Sequence, residues 1–153
     1  MTTILIIYHS QNGNTKMMAE SVAKGAASVD NIVVNLKTAA DTTLEDIRNC
    51  GGIVIGSPEY FGYMAGMIKD FFDRTYEFVK NNKKEFHRPY TVFISAGNDG
   101  RNALNQIERI CLGFPFRKVY EPIISRGNIT KGILNKCFDM GQTIAAGCDF
   151  GIY

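Results

Sequence analysis

The chain has 153 residues, 45% of them hydrophobic and 21% charged, with a net charge of +2 at neutral pH. That length suits one domain spanning residues 1–153, which buries about 68–70% of its unfolded surface and so needs no disulfide or structural metal. The charge gives no electrostatic preference for nucleic acid, membranes or acidic substrates, and no apolar run approaches the roughly 20 residues of a membrane span.

The first strand is Ile4–Tyr8, in an N-terminus too short in its apolar run and too β-branched for a signal peptide. A polar loop follows, then a helix with Met18, Val22, Gly25, Ala26 and Val29 at helical spacing and Glu20–Lys24 on its outer side. The second strand is Ile32–Leu36. A short helix starts near Thr42–Thr43, with Glu45 and Asp46 in capping-box spacing, and stops at Gly51–Gly52. The third strand, Ile53–Ile55, leads through an aromatic loop to a helix striped by Met64, Ile68, Phe71, Phe72, Thr75 and Val79. Lys83–Lys84 reads as a solvated loop after that helix. The fourth strand, Tyr90–Ser95, precedes a helix built on Ala103, Ile107, Ile110, Cys111 and Phe114. The fifth, Val119–Ile124, precedes one built on Leu134, Cys137, Phe138, Gly141, Ile144, Ala145 and Cys148.

The strand runs are continuous in Ile and Val rather than alternating, the mark of strands buried on both faces. Strand–helix alternation, five times over, predicts an α/β fold: a five-stranded parallel sheet with helices on both faces and right-handed crossovers. Ligands of such sheets bind beyond the carboxyl ends of the strands. The loops after the first, third and fourth strands are therefore the candidates.

The first loop reads Ser10-Gln11-Asn12-Gly13-Asn14-Thr15. Its side chains supply hydrogen bonds, Gly13 allows a turn at positive φ, and the amides of the next helix carry about half a unit of positive charge toward it. That describes an anion site needing no Lys or Arg; the competing account is a plain βα turn capped by Asn14 or Thr15. No GxxxxGK[ST] is present, and no two glycines are separated by a single residue, which excludes both the P-loop and GxGxxG. Cys111-x5-Arg117 matches phosphatase spacing, but its Cys belongs to a helical apolar stripe and Pro115 removes a donor. A response regulator would need clustered Asp residues where this chain has His9–Ser10 and Gly56–Ser57.

The second loop, Pro58-Glu59-Tyr60-Phe61-Gly62, offers aromatic faces on which a planar ring can stack, and a glycine that permits close approach. The alternative is that these aromatics cap the core or form a dimer contact. The third loop, Ser95-Ala96-Gly97-Asn98-Asp99-Gly100, is small, turn-forming and rich in backbone donors. A phosphate site beside a place for a planar ring describes flavin mononucleotide (FMN). The cysteines Cys50, Cys111, Cys137 and Cys148 form no CxxC pair and share no zinc spacing, which suits reduced, buried thiols in a cytoplasmic protein.

In these motifs the chain resembles the flavodoxin-like FMN-binding family, especially its NADPH-dependent FMN and quinone reductase branch. Ser10-x-x-Gly13-Asn14-Thr15 resembles the phosphate loop, and Gly56-Ser-Pro-x-Tyr-Phe-Gly62 with Lys69-x-Phe-x-Asp73-Arg74 resembles the isoalloxazine loop and its helix. Ser95-x-Gly97 through Gly100 resembles the third flavin loop. The resemblance implies a three-layer α/β/α fold of strand order 2-1-3-4-5. It implies FMN, with Ser10, Asn12, Asn14 and Thr15 on the phosphate, Pro58–Gly62 along the ring with Tyr60 or Phe61 stacking, and Ser95–Asp99 at the pyrimidine edge or ribityl chain. It further implies NAD(P)H as donor, a quinone or flavin as acceptor, and homo-oligomers with the site near an interface. The alternative within the family is a one-electron carrier between redox proteins. Asn12 departs from the Thr usual in such carriers, and the chain lacks their acidity. Residues 118–124 read as uninterrupted, so the insertion of long-chain flavodoxins is absent. His9, Arg101, Arg126 and Lys131 are ambiguous: the first reads as a strand-end residue, the others as surface charge or as contacts for a nicotinamide cofactor's phosphate.

Overall fold

The computed structural model describes residues 1–153. Its elements run β1 (Thr2–Tyr8), α1 (Asn14–Ala27), β2 (Ile32–Thr38), α2 (Leu44–Arg48), β3 (Gly52–Tyr60), β4 (Tyr63–Met64), α3 (Gly66–Asn81), β5 (Arg88–Ala96), α4 (Arg101–Gly113), β6 (Phe116–Lys118), β7 (Ile123–Arg126) and α5 (Lys131–Asp149). The sheet order is β2-β1-β3-β5-β6, with β7 also paired to β5 and β4 paired to β3. All pairings except the β3–β4 hairpin are parallel. Counting the main strands alone, this is the expected order 2-1-3-4-5.

The continuous apolar runs explain the two cores. Side chains alternate across the sheet, so Leu5, Ile7, Ile53, Ile55, Val92 and Ile94 meet α3 and α4 on one face. Ile4, Ile6, Val54 and Phe93 meet α1 and α5 on the other. On that second face the two helices approach backbone to backbone: a Cβ on Gly25 would collide with the Phe138 carbonyl, and one on Gly141 with the Val22 carbonyl. α2 starts as its sequence indicates, Thr43 and Asp46 forming a reciprocal capping box, but it ends at Arg48 rather than at the glycines.

Three expectations change. The fifth strand is not continuous over 119–124; it divides into β6 and β7 around residues 119–122. Pro122 has no amide to offer a ladder, and the Tyr120 carbonyl is turned to accept the Thr91 hydroxyl at 2.9 Å. The aromatic loop is largely not a loop: β3 continues through Pro58, Glu59 and Tyr60, turns at Phe61–Gly62 and returns as β4. Met64 lies in β4 and not in the stripe of α3. No helix is long and apolar enough to cross a membrane.

Candidate functional site

β1 ends at Tyr8, and the His9 amide donates to the Gly56 carbonyl at 3.3 Å, so the chain leaves the sheet beside β3. Ser10 Oγ then accepts the Gly13 amide at 3.0 Å. Gly13 itself, with φ of +97°, is the residue that opens α1, and no side chain caps the helix. The expected caps, Asn14 and Thr15, instead occupy its first turn. The first helical bond runs from Met17 to the Gly13 carbonyl, which leaves the amides of Asn14, Thr15 and Lys16 unpartnered. Three aligned donors at the positive end of a helix dipole form an anion-binding arrangement.

Long-range bonds then join the loops. Thr15, 1% exposed, shares a 2.9 Å hydrogen bond between its Oγ1 and Ser95 Oγ at the end of β5. Glu59 on β3 accepts the amides of Asn98 and Gly100, both at 2.9 Å. Asn102 Nδ2 donates to the Gly62 carbonyl at 2.7 Å, tying the tip of the hairpin to α4. Two backbone donors that the sequence offers to a ligand, Asn98 and Gly100, are thus engaged within the protein.

These ties frame a polar cleft of about 350 Å³ at the carboxyl edge of the sheet. Ser10, Gln11, Asn12, Asn14 and Thr15 line one side; Pro58, Glu59 and Tyr60 line another; Ser95, Ala96 and Gly97 line a third. Gly13, Phe61, Gly62, Asn98, Asp99 and Gly100 do not line it. Gly13, Gly62 and Gly100 shape it instead, through positive φ values of 97°, 69° and 69°. Asp99 accepts the Arg101 amide at 3.1 Å, at the start of α4. Phe61 points away from the protein and is fully exposed. Tyr60 faces the cleft and packs edge-on against His9, ring centroids 6.0 Å apart; burial raises its phenol pKa.

A fourth loop, not anticipated, completes the wall: Gly127 and Asn128 after β7. A turn-forming Gly-Asn pair at a strand's carboxyl end was the available signal, obscured because the strand before it is broken. Lys16, Arg101, Arg126 and Lys131 are exposed around this edge and none is ion-paired.

Competing chemistries find no site. A larger groove between α3 and α4, about 540 Å³, is lined by Tyr63, Phe72, Tyr76 and charged helix residues, among them the ion-paired Lys69 and Asp73. It lies away from the unpartnered amides. No three His, Cys, Asp or Glu residues cluster as metal ligands. Burial raises the thiol pKa values, Cys50 and Cys148 to about 11 and Cys137 to about 12, which keeps them protonated. Cys111 is wholly buried with its pKa raised further, which removes the phosphatase reading.

Residues 2–122 match the family model described as NADPH-dependent FMN reductase. Flavodoxin of Aquifex aeolicus is 42% identical over 73 residues, 48% of this chain and 40% of that protein. The NAD(P)H dehydrogenase (quinone) of Acidithiobacillus ferrooxidans is 36% identical over 95 residues, with 49% of this chain and 48% of that protein covered. The chain thus spans less than half the length of the curated relatives it matches. In three dimensions it is similar to a flavodoxin from the domain Archaea, with a TM-score of 0.82 at 25% identity, covering 97% of this chain and 99% of that one. It also matches rubredoxin oxygen:oxidoreductase of Desulfovibrio gigas, TM-score 0.83 at 18% identity, covering 98% of this chain and 37% of that one. At that identity the second likeness shows the fold alone.

Proposed function

This chain belongs to the NADPH-dependent FMN reductase family, flavodoxin-like FMN-binding oxidoreductases, and on that premise we propose that it holds FMN in the four-loop cleft and uses it to pass electrons from NAD(P)H to a quinone, flavin or similar acceptor. The observation that carries the cofactor assignment is the set of free amides of Asn14, Thr15 and Lys16 beside a cleft that has Tyr60 on its wall. The donor set suits a phosphate, because three backbone donors at a helix N-terminus complement a dianion without a counter-cation. The aromatic wall suits a planar ring.

When bound, FMN supplies the redox chemistry: it accepts a hydride and releases electrons singly or in pairs. The protein's share is binding and orientation. The Asn14–Lys16 amides, with the side chains of Ser10, Asn12 and Thr15, hold the phosphate. Pro58–Tyr60 on β3 form a rigid wall for the ring, more rigid than a free loop because Glu59 and Asn102 tie the hairpin to α4. Ser95–Gly97 and Gly127–Asn128 close the opposite sides. No side chain is required as acid or base.

NAD(P)H as donor rests on the family and on the relative named as an NAD(P)H dehydrogenase (quinone). A second reading, a one-electron carrier between redox proteins, is favoured by the similarity to flavodoxins of Aquifex and Archaea. One experiment separates them. The purified protein is loaded with FMN, and NADPH or NADH is added without oxygen. Bleaching of the flavin within seconds, reversed by a quinone, is the expected outcome. A flavin that dithionite bleaches and neither nucleotide does would overturn the reductase and leave the carrier.

A further inference from the structure

Ser125 is 1% exposed, and its Oγ has no hydrogen-bond partner. A buried hydroxyl left unmatched is costly and uncommon. Its place in the sheet gives it a purpose. Ser125 on β7 is the register partner of Ser95 on β5, just as Ile123 is of Phe93. Ile123 and Phe93 both pack in the α1–α5 layer, and side chains two residues on share the same face. The hydroxyls of Ser95 and Ser125 therefore stand side by side on adjacent strands, which lie about 4.8 Å apart. Ser95 is also the partner of Thr15 at 2.9 Å, and Thr15 and Ser95 both line the cleft.

We propose that Thr15, Ser95 and Ser125 form a hydroxyl relay beneath the phosphate end of the cleft, with Ser125 as a positioning residue for the anion. This rests on the FMN reading above. Thr15 and Ser95 share one hydrogen bond in which either can donate, and Ser125 Oγ has no partner. When Thr15 donates its O–H to a phosphate oxygen, its Oγ1 accepts from Ser95, since either hydroxyl of that pair can be the donor. Ser95 Oγ in turn accepts from Ser125, so all three O–H groups donate toward the anion and binding leaves no hydroxyl orphaned. Ser125 is thus the far donor that lets Ser95 and Thr15 both direct their O–H groups toward the ligand.

The relay acts only through the phosphate, which sets its test. FMN and riboflavin, which lacks the phosphate, are titrated into flavin-free wild-type and Ser125→Ala protein by fluorescence quenching, and the flavin-free proteins are melted. The expected result is FMN affinity reduced about threefold to tenfold, the worth of one neutral hydrogen bond, with riboflavin affinity unchanged. Flavin-free Ser125→Ala melts about 2–4 °C higher, because an unmatched polar group is gone. In a Ser95→Ala background the same substitution leaves FMN affinity where it was. An unchanged FMN affinity, an equal loss for riboflavin, or a lower melting point for flavin-free Ser125→Ala would each overturn the relay while leaving the FMN site intact. Failure of the wild type to bind FMN at all would instead remove the cofactor reading, and the relay with it.

Discussion

The Glu59 carboxylate accepts the Gly100 amide at 2.9 Å, and its second oxygen accepts the Asn98 amide at the same distance. One side chain thus fixes the loop after β5 against the strand that forms the cleft's aromatic wall. Glu59→Gln leaves one acceptor where two were used and sets an amide N–H against a backbone N–H. We expect a loss of about 1–2 kcal/mol, the lower part of the range for bonds to a charged group because the Asn98 bond is exposed and the Gly100 bond only part-buried. Urea denaturation measures it. Unchanged stability would show that the loop holds its position without Glu59.

Gly13 opens α1 at a φ of +97°, and a Cβ there would meet nothing within 4 Å. Space is therefore not the constraint; backbone conformation is. Gly13→Val forces a β-branched residue into the left-handed region, at a cost of about 1–2 kcal/mol or more. The loop relaxes by turning the Asn14–Lys16 amides away from the cleft. The purified variant is expected to contain no FMN, whereas Gly13→Asn, better tolerated at positive φ, keeps part of it. Normal flavin content in Gly13→Val would refute the phosphate assignment.

Tyr60 and Phe61 are adjacent in sequence and opposite in role. Tyr60→Ala removes the cleft's aromatic face and is expected to weaken FMN binding about fivefold to 150-fold, given the roughly 1–3 kcal/mol of ring-on-aromatic stacking. Phe61 sits at a φ of 54° in a two-residue hairpin turn with Gly62, a position that favours Asn before Gly. Phe61→Asn is expected to raise stability by about 1 kcal/mol and leave FMN affinity within about twofold. The reverse pattern in the titrations would make Phe61 the stacking residue.

Asp46 carries the acid sensitivity of the second crossover. Its burial alone would raise its pKa, but the Lys37 ammonium at 2.9 Å, the Thr43 amide and hydroxyl, and the Asn35 amide outweigh burial and hold it below its ordinary 3.8. A carboxylate lowered on folding contributes stability above its unfolded pKa, and that contribution is lost as pH falls through the folded value. Asp46→Asn is therefore expected to be less stable than wild type at pH 7, the gap narrowing below about pH 4. A gap constant from pH 7 to pH 2.5 in denaturation midpoints would contradict this.

What the sequence determined by itself was local and repetitive. Continuous Ile and Val runs mark strands buried twice, 3.6-residue stripes mark the covering helices, and their alternation fixes a parallel sheet whose carboxyl edge is the place to look. The free amides at the start of α1 were legible in Ser10–Thr15 because they are set within one stretch of chain. The second loop was legible in composition but not in form: the β3–β4 hairpin depends on Asn102, forty residues away, holding Gly62. Glu59 reads as one more polar residue until the fold brings Asn98 and Gly100 to it. The break between β6 and β7 rests partly on Thr91, and it carries Gly127–Asn128 into the cleft. Ser125 is unremarkable until its register with Ser95 is known. Short-range periodicity fixed the elements and the edge at which they open. Hydrogen bonds between residues distant in sequence, each satisfied only once the sheet had assembled, decided which side chains wall the cleft and which amides are left for a ligand.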